Sequence, residues 1–190
     1  MVDALIPAVI EQKVTGQEAF AAYRRLVQRY GEPAPGPAGS ALRLRVQPTA
    51  EAIRAVPSWE WLRLPVDGGR SRPLIGAMRI ADTLQRAGER GTGELDRALT
   101  SLPGIGRWTS AEVRQRALGD ADAVSFGDYH VAKDIGWALT GVRLDDDELA
   151  ALLERWRPHR HRVQALLAMV GAHAPRRGPR MAPRRHLPTT

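Results

Sequence analysis

Apolar residues recur three or four positions apart along almost the whole of this 190-residue chain. That spacing gives a helix one apolar face. Val2, Leu5, Ile6 and Val9 mark a first helix. Thr15-Gly-Gln-Glu18 has the form of a capping box, in which the Thr hydroxyl accepts from a free backbone N–H and the Glu reaches back. Phe20, Tyr23, Val27 and Tyr30 then share an apolar face, and Gly31 ends the helix. Residues 32–48 are rich in Pro and Gly and predict a loop, within which Leu42, Leu44 and Val46 alternate as a short extended stretch would. Further helices are predicted around 49–55, 73–87, 94–101, 107–118 and 128–139. Leu149, Leu152, Leu153 and Trp156 form one later stripe, and Val163, Leu166, Leu167 and Val170 another, with Pro158 suited to the first turn of the last helix. There is no internal repeat. The expected fold class is all-α, in two lobes, with the 102–106 turn in one lobe and the chain ends in the other.

Composition narrows the chemistry. The chain has no Cys, which rules out disulfides, thiolate zinc sites, thiol nucleophiles and a cysteine-held iron–sulfur cluster. No apolar run approaches the roughly 18 residues of a spanning helix, and Met1 opens onto no signal-like segment, so a cytoplasmic protein without a membrane partner is expected. The net charge of +7 comes from 26 Arg and 2 Lys against 21 acids. Five of those Arg, and no acid, fall in 176–190, leaving the rest of the chain near neutrality at +2. Residues 1–175 are therefore read as the core and 176–190 as a basic, mobile tail that could touch phosphate or merely keep the chain in solution.

Leu102-Pro-Gly-Ile-Gly106 carries the most information. Two glycines two apart let the backbone turn tightly between helices, and the next helix begins at once. Its free N–H groups can bind an anion such as a DNA phosphate. On its own this pentapeptide is more readily a plain turn, since such glycine pairs are common in turns.

Its surroundings weigh more. Leu102-Pro-Gly-Ile-Gly-Arg-Trp-Thr109 resembles the helix–hairpin–helix signature of the DNA glycosylase superfamily, in its alkylated-base branch (3-methyladenine DNA glycosylase II-like). Trp108 stands where bifunctional members carry a lysine that forms a Schiff base. Asp128 lies twenty residues on, in Ser125-Phe-Gly-Asp-Tyr-His130, where the family places its catalytic aspartate followed by Tyr. Val9-Ile-Glu-Gln-Lys-Val14 resembles the segment that fills the gap left by a flipped base, and Glu154-Arg-Trp-Arg-Pro158 a late helical motif. The likeness runs over about residues 4–170. Members usually carry an N-terminal domain ahead of this core, which the resemblance implies is lacking here. Two further departures are Glu112, one turn beyond Trp108 where some relatives have an aromatic, and His159, where an aromatic follows Arg-Pro.

What the resemblance implies is a monofunctional enzyme that excises alkylated bases of the 3-methyladenine and 7-methylguanine type from damaged duplex DNA. It implies no cofactor and no metal at the reacting centre, an abasic product, and a monomer. Asp128 would be the catalytic carboxylate; as a residue just before a helix it could equally be an N-cap. Trp108 and Tyr129 would wall the base pocket, or else pack in the core. Gln12, Lys13, Leu102, Gly104, Ile105, Gly106, Arg107 and Thr109 would meet the DNA, with Lys13 reaching phosphate or laying its stem into the gap. Asp134 would face solvent or pair with a base, and His159 and His161 would face phosphate or solvent. The five His residues make no convincing metal site. The alternatives are a non-catalytic helix–hairpin–helix DNA-binding module and a glycosylase for oxidised or mismatched bases.

Overall fold

The structure is a computed structural model that describes residues 1–175; the expected basic tail lies outside the described residues. Among these there is no named strand, only one isolated bridge between Pro33 and Arg45. The alternation at Leu42, Leu44 and Val46 thus produces a single antiparallel pair, and all three side chains are exposed. The helices are α1 (Val2–Ile10), α2 (Gly16–Tyr30), α3 (Gly36–Ala41), α4 (Ala50–Ala55), α5 (Glu60–Arg63), α6 (Gly68–Arg79), α7 (Ala81–Arg90), α8 (Thr92–Thr100), α9 (Arg107–Leu118), α10 (Val131–Thr140), α11 (Asp146–Leu153) and α12 (Arg160–Met169), with a 3-10 turn at Glu154–Trp156.

Local chemistry sets many of these ends. The N–H of Glu18 donates to Thr15 Oγ1 at 3.2 Å, and the N–H of Thr15 donates to Glu18 Oε2 at 2.9 Å, completing the expected capping box of α2. A second box, Asp145 with Glu148, starts α11. The face of α2 is shifted from the expected one: Ala19, Ala22 and Leu26 are buried, Tyr23 and Tyr30 flank them, and Phe20 points outward. The stretch expected as one helix over 73–87 is two, broken at Ile80, with α6 beginning five residues before Pro73. Pro158 precedes α12 rather than entering its first turn, and α10 starts three residues after Asp128.

Two cores result. The larger gathers α1, α2 and α4–α9 around Leu5, Ile6, Trp61, Leu74, Leu99 and Val113. Helix α1 is apolar nearly all round, and Ala4, Leu5, Ile6, Ala8, Val9 and Ile10 are all buried. Such a helix is stable only inside a core, and each fully buried large aliphatic side chain there contributes about 1.5–3 kcal/mol. The smaller core holds Val124, Ala132, Ile135, Leu149 and Leu153, with Phe126, Val131, Trp156, Val163 and Leu167 packed against it. Because α1 packs directly on α9, the N-terminus shares a lobe with the 102–106 turn. This corrects the expected division: only the C-terminal helices form the second lobe.

Candidate active site

The turn between α8 and α9 is built as the sequence suggests. The N–H of Leu102 donates to Leu99 O at 3.1 Å, and that of Ile105 to Leu102 O at 3.0 Å. The side chain of Ile105 is buried in the larger core, and Leu102 packs against it. Ile105 thus anchors the hairpin from below with its side chain turned away from the surface, contrary to the expected DNA contact through it, whereas Leu102 is only partly buried. Gly104 has φ +82°, and a Cβ there would stand 2.3 Å from Pro73 Cγ, so only glycine fits. Gly106 has φ −99°, and a Cβ there would meet nothing within 4 Å. No side chain caps the N-terminus of α9, so its first N–H groups are left to solvent or a ligand.

The remaining expected DNA contacts divide. Lys13 is exposed on the turn after α1, with φ +54°. Gln12 reaches back instead: its Nε2 donates to Gly104 O at 3.0 Å and to Thr109 Oγ1 at 2.8 Å. Thr109 itself is buried, so its hydroxyl serves this bridge and cannot meet DNA. Arg107 donates to Asp146 and lies over the Phe126 ring at 5.7 Å, so its guanidinium is already paired. The turn bearing Gln12 is held from beneath by Arg70, itself buried, whose Nη1 donates to Ile10 O at 2.9 Å, at the C-terminal end of α1 where a cation is favoured.

Asp128 sits on the segment that leads from the smaller core into α10. Its Oδ1 accepts from the N–H of His130 at 2.7 Å and of Val131 at 3.1 Å. Asp128 thus caps backbone N–H groups at the start of α10, although the N-cap position itself is His130, two residues on. These bonds fix the carboxylate while using one of its oxygens, and among the described residues no hydrogen bond is made to the other. Gly127, at φ +91°, lies against Trp108: a Cβ there would be 3.7 Å from Trp108 Cβ. Its N–H donates to Asp146 Oδ2 at 2.8 Å. So the 125–128 segment runs across the face of α9 that carries Trp108. Trp108 is half-buried, and its Nε1 is buried with no partner among the described residues. Tyr129 is 75% exposed and has Lys133 Nζ 3.5 Å from its ring centroid. One face of that ring is thus already taken by a cation.

Several residues that frame this site escaped the sequence reading. Ser125 Oγ donates to Glu112 Oε1 at 2.6 Å and accepts from Gln115 Nε2 at 3.0 Å and from Gln164 Nε2 at 2.9 Å. The N–H of Ser125 donates to Gln164 Oε1 at 3.1 Å. This buried node ties α9, α12 and the Asp128 segment together. Only the Ser-Phe-Gly-Asp run hinted at it, since glutamines on distant helices give no local signal. Arg160 grips Asp122 through Nε (2.8 Å) and Nη2 (2.7 Å), and Arg157 adds a third contact at 3.1 Å. Asp134 pairs with His173 at 3.0 Å, as one of its two expected roles. His161 is half-buried, and burial pushes its imidazole below the ordinary range. Among the described residues no group of three or more His, Asp or Glu could hold a metal ion, and no helix is long and apolar enough to cross a membrane. A polar cleft of about 330 Å³ lies between Arg107, Arg114, Arg157 and Arg160. Each of those guanidiniums is paired with a carboxylate.

No protein-family model matches the chain. Two curated proteins of Mycobacterium tuberculosis (strains CDC 1551 / Oshkosh and ATCC 25618 / H37Rv), each described as a probable bifunctional transcriptional activator/DNA repair enzyme AlkA, are 28% identical to it over 165 residues. That match takes in 82% of this chain but 30% of theirs, so the chain spans about a third of the length of these relatives. Among solved structures, a 3-methyladenine DNA glycosylase from Archaeoglobus fulgidus superposes with a TM-score of 0.72 at 22% identity, covering 87% of this chain and 56% of that one. The 3-methyladenine DNA glycosylase Mag1 of Schizosaccharomyces pombe, solved in complex with abasic DNA, gives 0.71 at 20% identity, over 87% of this chain and 78% of that one. The structure of MBOgg1 in complex with a low-affinity DNA ligand gives 0.72 at 15%, over 90% of this chain and 60% of that one. At these identities the likeness establishes the fold, which is that of the helix–hairpin–helix DNA glycosylases.

Proposed function

We propose that this chain is a monofunctional DNA glycosylase that removes alkylated bases from duplex DNA, with Asp128 as its catalytic carboxylate. The observation that carries the reading is the placement of Asp128: one oxygen is fixed by two backbone N–H groups, and the preceding residue, Gly127, lies against Trp108 on the helix that follows the hairpin. The N-terminus of α9 would take a DNA phosphate through its uncapped N–H groups, with Gly106 allowing close approach. Lys13 would meet phosphate or fill the gap left by the base, and Gln12 would hold the hairpin in position rather than enter the duplex.

The target base must leave the stack to be cut. A base methylated at a ring nitrogen carries positive charge, so it departs without a general acid. The bond from the anomeric carbon to the base nitrogen breaks, and its electron pair leaves with the base, which becomes neutral. The sugar gains oxocarbenium character, which a carboxylate beside the anomeric carbon stabilises. Water then adds to that carbon and gives up a proton, leaving an abasic site. Trp108 would offer its ring face to the cationic base. Tyr129 fits that role less well, since Lys133 lies over its ring.

Single-turnover base release from methylated duplex DNA tests the reading. Asp128→Asn keeps the shape and the capping acceptor but removes the charge, so release should fall on the order of 100-fold or more while DNA affinity stays close to the wild-type value. Release at the wild-type rate would remove Asp128 from the chemistry. Binding without release by the wild type would make the chain a non-catalytic DNA-binding module.

A further inference from the structure

Glu112 stands one helical turn beyond Trp108 on α9, so the two side chains share a face. The 125–128 segment crosses that face, with Ser125 against Glu112 and Gly127 against Trp108. Glu112 is held at both oxygens: Oε1 accepts from Ser125 Oγ at 2.6 Å, and Oε2 accepts from Arg116 Nη2 at 2.8 Å. Arg116 also pairs with Glu11 at 2.9 Å, at the end of α1. The Glu112 side chain is only 13% exposed. It is therefore a positioned, largely buried carboxylate on the wall that carries Trp108, not a solvated surface group.

The charges around it are unbalanced. Glu11 from the end of α1, Asp128 from the facing segment and Arg116 from α9 act on Glu112, so two of the three are negative. Burial first, and then the charges of Glu11 and Asp128, push its carboxyl above the ordinary range, against the Ser125 hydrogen bond and the Arg116 charge. A positive charge brought beside Trp108 would offset this repulsion. A neutral base would not.

We propose that Glu112 is the specificity-determining residue of the pocket, favouring release of nucleobases that carry a fixed positive charge over neutral ones. The proposal rests on the glycosylase reading above and names its substrate class. Charge enters through Glu112, and the Trp108 ring supplies the stacking surface.

The test compares single-turnover release of 7-methylguanine, which is cationic in DNA, with release of neutral hypoxanthine, in the wild type, Glu112→Gln and Glu112→Asp. The ratio of the two rates should fall about tenfold in Glu112→Gln, as expected for loss of one nearby charge. It should be largely retained in Glu112→Asp, which keeps the charge. Thermal unfolding of each variant separates misfolding from selectivity. Equal losses on both bases in Glu112→Gln, or a ratio that falls as far in Glu112→Asp as in Glu112→Gln, would overturn the proposal while leaving the glycosylase reading intact. A wild-type protein that releases neither base would overturn both.

Discussion

The side-chain amide of Gln12 donates to the backbone carbonyl of Gly104 across 92 residues of sequence, and the same nitrogen donates to the hydroxyl of Thr109. The turn after α1 and the hairpin before α9 are thereby one rigid unit, with Lys13 at its edge. Gln12→Ala should lower stability by about 1–2 kcal/mol, the sum of two modest net hydrogen bonds. It should also weaken binding to damaged and undamaged duplexes alike, since the hairpin would lose its strut. A thermal melt and a pair of binding titrations check this; unchanged affinity on both duplexes would mean that the strut does not position the hairpin.

The two hairpin glycines should behave differently. Gly104→Ala meets both a left-handed backbone and Pro73, so it should destabilise the fold by more than about 1 kcal/mol and weaken binding in consequence. Gly106→Ala meets no protein atom within 4 Å, so the melt should be nearly unchanged. Any loss of duplex affinity there reports the approach of a phosphate, and it should be equal on damaged and undamaged DNA because phosphate contacts do not read bases. A stable Gly106→Ala protein with full affinity would leave the hairpin as a plain turn.

Borohydride trapping should give no protein–DNA adduct. Trp108 occupies the place of the Schiff-base lysine in the bifunctional pattern, and the ammonium of Lys133 lies over Tyr129. A trapped adduct whose peptide contains Lys133 or Lys13 would show a lyase step and replace the monofunctional assignment.

Asp122 should make part of the stability acid-sensitive. Burial alone would raise its carboxyl, but hydrogen bonds from Arg160 and the charges of Arg160 and Arg157 outweigh this and hold it below the ordinary range. A carboxyl depressed in the folded state contributes stability that is present above its unfolded value, near 3.9, and is lost as pH falls through the folded value. The stability gap between wild type and Asp122→Asn should thus be widest near neutrality and close below about pH 4. Urea unfolding at a series of pH values measures it; a gap that does not change with pH would mean that the ion pair adds nothing through its charge.

How far the sequence alone reaches is seen in particular elements. The bounds of α9 and the capping box of α2 are legible because a glycine turn and a Thr–Glu pair act within four residues. The break at Ile80 is not, because residues on both sides keep helical spacing and only tertiary packing separates α6 from α7. At the site, the motif spacing brings the segment that ends in Asp128 to α9, with Gly127 against Trp108. The burial of Thr109 and Ile105 does not follow from that spacing, since a motif records which residues stand together and not which face them to the core. The Ser125 node, drawn from three separate elements, leaves no periodic trace.

Among the described residues, the lobe that holds α10, just after Asp128, has five buried hydrophobic residues in its core, whereas the lobe that mounts the hairpin has 22. Local opening is easiest where least apolar surface is withdrawn from water. Amide protons of α10, α11 and α12 should then exchange with deuterium sooner than those of α1 and α9. On gradual warming, the half that holds the carboxylate would loosen while the half that carries the hairpin stayed shut. On the function proposed above, such a molecule would go on sitting on DNA after it had stopped cutting.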